Sequence, residues 1–120
     1  MSQYFLEVAK KMDYRRVIAV FQPFTYSRTF MMMDEFAEVL RLADTVVLTE
    51  IMGAREVNTY GVYSSQLSAK IPGSVWRDSF KKVAAHTLSI AGEGDLVLTL
   101  GCGDIYKAAD IMIKSLKENL

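Results

Sequence analysis

The sequence is poor in the residues that build disulfide frameworks and membrane spans. Its 120 residues contain a single cysteine, Cys102, so no disulfide can form within the chain. A lone cysteine and the absence of a signal peptide together indicate a reducing, cytoplasmic location. No apolar run approaches the roughly 20 residues that a membrane-spanning helix requires. The sequence therefore predicts a cytoplasmic globular protein that does not cross a membrane.

An excess of charge of either sign is also missing. The 14 Lys and Arg residues balance the 14 Asp and Glu residues, for a net charge of +0. This balance gives no electrostatic reason to expect binding to nucleic acid or to an anionic membrane. The single histidine, His86, has no second histidine or cysteine at metal-ligand spacing, so we expect an exposed or half-buried helix residue. The phosphate-binding pattern G-x-x-x-x-G-K-[ST] does not occur either.

The chain does contain short apolar runs that alternate with amphipathic patterns. Strands are predicted at residues 16–21, 45–49, 74–77 and 95–100. Helices are predicted at residues 3–11, 30–42, 64–70, 78–91 and 104–117, with Asp78 as an N-cap. Residues 53–63 lack an apolar period and are predicted to form a loop. The helix at 30–42 is expected to turn Phe30, Met33, Phe36, Ala37 and Leu40 inward, and the last helix Ile105, Ala108, Met112, Ile113 and Leu116.

This order of elements predicts an α/β fold, a three-layer Rossmann-like arrangement with a mostly parallel sheet and helices on both faces. No repeat, low-complexity segment or linker interrupts the chain, so residues 1–120 are predicted to form one domain. We expect the first and last strands to be neighbours, because ligands of open parallel sheets bind beyond the carboxyl ends of adjacent strands.

Two segments at that edge carry candidate ligand groups. Residues 22–29, "QPFTYSRT", follow the first strand, and residues 101–104, "GCGD", follow the last. Each precedes a helix, whose N-terminal N–H groups favour an anion, and Arg28 adds a forked donor that suits a carboxylate or a phosphate. The alternative is that Ser27 or Thr29 caps the helix and Arg28 lies on the surface.

The remaining candidates are mostly explained by structural roles. Gly101 and Gly103 lack the third glycine and the later acidic residue of a dinucleotide fingerprint, so they are expected to allow a tight turn or a close approach. Cys102 is expected to be a small buried side chain. Arg55 and Glu56, in the predicted loop, could form a surface ion pair or contact a substrate.

Taken together, the stretches "RVIAVFQPFTYSRTFMMMDEFAEVLRLADTVVLTEIMGAREVNT" and "GDLVLTLGCGDIYK" resemble a known family. They are similar to the C-terminal domain of Mur ligases of the UDP-N-acetylmuramate–L-alanine type, from about residue 5 to about residue 116. The most specific parts are F-Q-P-x-x-Y-S-R-T, L-A-D, A-R-E and G-x-G-D-I, which occur in the family's order and spacing.

The resemblance implies an ATP-dependent ligase of peptidoglycan synthesis with three domains. The first holds UDP-N-acetylmuramate, the second holds ATP and magnesium, and the third, which this chain resembles, closes over them and helps to place L-alanine. An acyl phosphate forms on the muramyl carboxylate, and the alanine amine attacks it to give an amide, ADP and phosphate. The chain itself is then expected to hold no cofactor or metal, and its partners would be the two missing domains.

By the same resemblance, Arg28 would meet the alanine carboxylate or neighbouring anionic groups. The loop at residues 22–29, with Phe24, Thr25 and Tyr26, would form one wall of the site. Another wall would come from the turn at residues 101–104, with Gly101, Cys102 and Gly103, and no catalytic residue is assigned to this chain.

Two features depart from the family pattern. Phe24 stands where the family usually has histidine, which removes a hydrogen-bond donor and a possible proton carrier. The hinge D-D-Y-x-H-H-P, which precedes this region in the family, is absent, so we expect an excised domain. A stand-alone Rossmann- or flavodoxin-like domain that binds a small anion or a protein partner is the alternative. A ligase that adds a peptide to the same UDP-sugar is disfavoured, because its loop departs from Q-P-x-x-Y-S-R-T.

We expect the isolated 120-residue chain to show no ligase activity, since its sequence has no phosphate-cradling loop and no set of magnesium carboxylates. Binding of free alanine should also be weak, because one wall of a site leaves most of a small ligand in water. The measurement is ATP turnover by the purified chain with and without L-alanine and UDP-N-acetylmuramate. Turnover that requires both substrates would contradict the interpretation as one domain of a larger enzyme.

Overall fold

A computed structural model describes residues 13–101 and 103–118 of the chain. The helix predicted at residues 3–11 lies outside these residues. The strands are β1 (Arg16–Phe21), β2 (Thr45–Thr49), β3 (Val75–Arg77) and β4 (Asp95–Leu100). The helices are α1 (Tyr26–Met31), α2 (Met33–Leu40), α3 (Ser64–Ala69), α4 (Phe80–Ile90) and α5 (Tyr106–Glu118). In the described part of the chain, no helix combines the length and the apolar character needed to cross a membrane.

The four strands form one sheet in the order β3-β2-β1-β4, and every neighbouring pair is parallel. This confirms the predicted α/β fold and the predicted contact between the first and last strands. Parallel neighbours require a crossover, and the intervening helices supply it on both faces of the sheet.

Alternate residues of β1 are buried in two separate apolar layers. Val17, Ala19 and Phe21 pack on one face, in a cluster that also contains Phe36, Ala37 and Leu40 of α2 and Leu67 of α3. Ile18 and Val20 pack on the other face, in a cluster with Val83 and Ala84 of α4 and Ala108 and Met112 of α5. Because both faces of β1 are covered, its sequence is a continuous apolar run rather than an alternating one.

The segment predicted as one helix at residues 30–42 forms two helices, so this prediction was wrong. The chain is already helical from Tyr26, and only residues 22–25 form a loop after β1. The helical path breaks at Met32, whose φ of −118° and ψ of 22° are not helical. Phe30 is 55% exposed instead of facing the core, whereas Phe36, Ala37 and Leu40 are buried as expected.

Smaller corrections apply to the later elements. Ser79 rather than Asp78 caps α4, since its side chain accepts a hydrogen bond from the amide of Lys82. At the last helix, Ile105 just before α5, Ala108 and Met112 are buried as predicted. Ile113 and Leu116 remain exposed, contrary to the prediction, and line a pocket with Val97 of β4 and Leu88 of α4.

An ion-pair network holds the start of β4 against the start of β1. The Asp95 carboxylate accepts hydrogen bonds from Arg15 Nε at 2.9 Å, from Arg16 Nη2 at 2.7 Å and from the Gly92 amide at 2.8 Å. Only 1% of the Asp95 side chain is exposed. The Arg15 contact first, then Arg16 and the Gly92 amide, hold the pKa of this carboxyl far below its usual range.

We predict that Asp95→Asn lowers the melting temperature of the chain by a few degrees at pH 7, because it leaves two arginines without their shared partner. The pKa of Asp95 is depressed in the folded state, so its stabilisation is complete above the ordinary value of about 3.9. It is lost as the pH falls below that value, because the unfolded chain then binds a proton that the folded chain does not. The difference in melting temperature between the wild type and Asp95→Asn should therefore become smaller as the pH falls below about 3.9.

The control is Asp110→Asn, which removes an exposed carboxylate from α5. Thermal melts between pH 2.5 and pH 7 should show no comparable convergence for this variant. A loss of stability in Asp95→Asn that stayed constant down to pH 2.5 would contradict the assignment of the effect to the ionised carboxylate.

Candidate functional site

The two segments predicted to form the site leave the sheet side by side. Phe21, the last residue of β1, pairs with Leu100, the last residue of β4. The ladder extends one step further, because the Gln22 amide donates to the Leu100 carbonyl at 3.1 Å. The chain after β1 and the chain after β4 therefore begin at the same edge of the sheet, on adjacent strands.

A cavity of about 280 Å³ lies at this edge, a volume that suits a small ligand. We call it the Arg28 cavity. Its lining residues are Phe21, Gln22, Phe24, Arg28, Thr29, Phe36 and Gly101. Of the described residues that line it, only Arg28 carries a charge, and Arg28 is exposed. The cavity thus combines three aromatic residues with one arginine.

The helix start that was expected to favour an anion is already occupied by groups of the chain itself. Thr25, in extended conformation, caps α1 by accepting from the Arg28 amide at 3.3 Å. Glu56 accepts from the Ser27 amide at 3.0 Å and from the Ser27 hydroxyl. Because these first-turn donors already have partners within the chain, the expectation that they bind an anionic ligand is corrected. The cap is Thr25, and not Ser27 or Thr29 as considered from the sequence.

The loop between β2 and α3, residues 50–63, is attached to the segment that follows β1. The Met52 amide donates to the Pro23 carbonyl at 2.9 Å, and the Gly53 amide donates to the Phe24 carbonyl at 2.8 Å. Farther along, the rings of Phe30 and Tyr60 stack with their centroids 5.1 Å apart. The β2–α3 loop therefore covers the outer side of α1, and this stacking explains why Phe30 is not in the core.

Glu56 is turned toward α1 rather than toward Arg55. Its two carboxylate oxygens bind the amide and the hydroxyl of the same residue, Ser27. The hydroxyl first, and then the amide, lower the pKa of the Glu56 carboxyl. The surface ion pair with Arg55 considered from the sequence is thus replaced by a contact between residues 29 positions apart.

The predicted site residues fall into two groups. Phe24, Arg28 and Gly101 line the Arg28 cavity. Thr25 is the helix cap, and the Tyr26 ring lies over Gly53, where an added Cβ would come within 2.6 Å of it. Cys102, which was predicted both as a wall residue and as a buried side chain, lies outside the described residues.

The first glycine after β4 allows a close approach of two backbones, as expected. Gly101 has a φ of +149°, and a Cβ there would lie 2.9 Å from the Gln22 carbonyl oxygen. At Gly103 an added Cβ would meet the side chain of Met52, which is flexible. A side chain at position 101 would therefore separate the chain after β1 from the chain after β4.

Two polar residues at this edge were not singled out from the sequence: Gln22, within the predicted segment 22–29, and Glu50, outside it. Gln22 is 7% exposed, its Nε2 donates to the Glu50 carbonyl at 3.3 Å, and its buried Oε1 has no hydrogen-bond partner among the described residues. The Glu50 carboxylate accepts from the Ser64 amide at 3.0 Å and so joins the two ends of the β2–α3 loop. The sequence did contain a signal for both residues. Each is a polar residue that directly follows a buried apolar strand, a position where the hydrophobic pattern does not account for it.

The remaining titratable candidate lies in a helix away from the Arg28 cavity. His86 is half-buried in α4, as predicted, and burial, with Arg77 as the smaller cause, lowers its pKa. Within residues 13–101 and 103–118, no group of three His, Cys, Asp or Glu side chains is placed to hold a metal ion.

Comparison with known proteins gives the family. The family model described as "Mur ligase, glutamate ligase domain" matches residues 2–103. The chain belongs to the Mur ligase family. Within it, the chain is 42% identical over 113 residues to a UDP-N-acetylmuramate–L-alanine ligase from Lachnospira eligens and 38% identical to one from Caldicellulosiruptor bescii. Both alignments cover 91% of this chain and 25% of the relative, so the chain spans about a quarter of their length.

A solved structure agrees with this Mur ligase fold. It is a domain from Haemophilus ducreyi, described as part of a UDP-N-acetylmuramate:L-alanyl-gamma-D-glutamyl-meso-diaminopimelate ligase. The TM-score is 0.69, and the match covers 95% of this chain and 80% of that one. At 16% sequence identity, the likeness concerns the fold alone.

We predict that Gly53→Ala destabilises the chain through its contact with Tyr26. The φ of +83° and the collision with the ring together should cost roughly 2–4 kcal/mol of unfolding free energy. Gly61→Ala is the matched control, because Gly61 lies in the same loop with a φ of +61°, and nothing lies within 4 Å of the position that its Cβ would take.

The free energy of unfolding of Gly61→Ala should therefore fall by only roughly 1–2 kcal/mol, the cost of the left-handed backbone conformation. Urea unfolding of the two variants measures the difference. Equal losses would show that the Tyr26 ring does not constrain the β2–α3 loop.

Proposed function

We propose that this chain is the C-terminal domain of a UDP-N-acetylmuramate–L-alanine ligase, and that it forms one side of the L-alanine site. The observation that carries the proposal is the 38–42% identity to proteins of that name over nine-tenths of the chain. The whole ligase would have two further domains, for the UDP-sugar and for ATP. It would act in the cytoplasm, where peptidoglycan precursors are assembled.

Arg28 is the group we assign to the amino-acid carboxylate. Arg28 lines a cavity whose other described lining residues are uncharged. A carboxylate can accept two parallel hydrogen bonds from a guanidinium, which fixes its orientation as well as its position. The nearby first-turn amides of α1 have partners in Thr25 and Glu56, so Arg28 is the better placed donor for an incoming anion.

The described residues offer no set of side chains that would hold ATP and magnesium. The sequence contains no phosphate-cradling glycine loop, and the described residues contain no cluster of three possible metal ligands. We therefore assign both to the central domain of the proposed ligase, and the role of this chain is limited to binding and orienting the amino acid.

The fold does not decide which amine the ligase accepts. The Haemophilus ducreyi domain has the same architecture, and the protein it belongs to is named for a tripeptide rather than for alanine. The sequence identities favour L-alanine. Assays of the full-length ligase with L-alanine and with the tripeptide as alternative substrates would separate the two, and activity with the tripeptide alone would overturn our assignment.

We predict that Arg28→Ala in the full-length ligase lowers kcat/KM for alanine by about 10- to 150-fold, the loss expected for one charge-assisted contact. Arg28→Lys should recover little, because an ammonium cannot reproduce the two parallel hydrogen bonds. The melting temperature of the 120-residue chain should barely change in either variant, since Arg28 is exposed.

The control is Lys114→Ala, which removes an exposed cation from α5, a helix that contributes no residue to the Arg28 cavity. Its kinetics should match those of the wild type. Near-normal kinetics in Arg28→Ala, together with a large fall in melting temperature, would show that Arg28 stabilises the fold and does not bind the substrate.

A further inference from the structure

Arg28 is carried by a helix that cannot be stable on its own. Helix α1 has only six residues, from Tyr26 to Met31, and isolated helices shorter than about 12 residues are marginal in water. Its position must therefore come from contacts with the rest of the domain. One such contact is made by the residue directly before Arg28, because Ser27 binds Glu56.

Glu56 is well placed to hold the first turn of α1. Its two oxygens bind the amide and the hydroxyl of Ser27, so the contact restrains both the backbone and the side chain. Glu56 is itself anchored, because its amide donates to the Gly53 carbonyl at 2.9 Å. Gly53 in turn donates to the Phe24 carbonyl and lies under the Tyr26 ring.

We infer that Glu56 is a positioning residue for Arg28: through Ser27 it holds the first turn of α1, so that the guanidinium stays at the Arg28 cavity. The inference rests on the proposed role of Arg28 in binding the amino-acid carboxylate. Glu56 acts without touching the substrate, which distinguishes this role from the direct loop contact expected from the sequence. The contact joins the A-R-E segment of the β2–α3 loop to the S-R-T segment of α1.

The first test uses the 120-residue chain and needs no activity. Amide hydrogen exchange is measured at Thr29 and Met32, whose amides donate to the Thr25 and Arg28 carbonyls and so report on α1 itself. In Glu56→Gln, which keeps the shape but removes the charge, exchange at both amides should be faster by about tenfold. Unchanged exchange would overturn the inference.

The matched control is Asn58→Ala. Asn58 lies in the same loop, but its side chain binds the amide and the carbonyl of Val62 and so holds the loop to itself. Exchange in α1 should remain close to that of the wild type. If Asn58→Ala accelerated it as much as Glu56→Gln does, the general order of the loop, and not the Glu56 contact, would be responsible, and the inference would fail.

The second test uses the full-length ligase. Glu56→Gln should raise KM for alanine on the order of tenfold while KM for ATP stays unchanged, because a misplaced contact affects the substrate that it orients. In the Arg28→Ala background the same change should alter KM for alanine by less than about twofold, since residues that act through one contact are not additive. Equal effects in both backgrounds would show that Glu56 acts independently of Arg28, which would overturn the positioning role.

The two tests separate this inference from the proposed function. A raised KM for alanine in Arg28→Ala with a normal KM in Glu56→Gln would overturn only the positioning role. A normal KM in Arg28→Ala would overturn the assignment of the carboxylate site, and the positioning role with it. Glu56→Asp keeps the charge but should still raise KM for alanine above that of the wild type, because the shorter side chain cannot reach both donors of Ser27.

Discussion

The parallel pairing of β1 with β4 is the constraint on which the rest of the structure depends. It places the last residues of the first and last strands, Phe21 and Leu100, beside each other. These two strands are far apart in the sequence, and the pairing becomes favourable only when helices cover both faces of the sheet. The Arg28 cavity exists because the segments after these two strands leave the sheet together.

The second neighbour of β1 shapes the other side of the cavity. Since β2 also pairs in parallel with β1, the loop after β2 leaves at the same edge and can bind the segment after β1. Amides of Met52 and Gly53 satisfy the carbonyls of Pro23 and Phe24, which lie beyond the end of the sheet. The loop then reaches α1 through Glu56 and Tyr60. A short helix is thus held by tertiary contacts rather than by its own propensity.

The accuracy of the sequence predictions follows the strength of the burial constraint. The bounds of β1 and β2 agree with the prediction, because strands covered on both faces must be short and continuously apolar. The bounds of β4 agree as well, although its residues are only half-buried. The third strand, at the edge, is one residue shorter than predicted. The helix after β1 was predicted from the spacing of apolar residues alone. That spacing cannot show that Phe30 stacks on Tyr60 instead of entering the core.

The sequence by itself determined the α/β architecture, the edge at which the candidate site lies and the presence of Arg28 there. These follow from patterns of apolar residues that are local in the chain, since each strand or helix must bury one or both of its own faces. Only the tertiary structure decided which groups occupy the first turn of α1 and which remain open to a ligand. The hydrogen bonds from Ser27 to Glu56 join residues 29 positions apart, and their existence depends on the path of a loop that has no periodic pattern to reveal it.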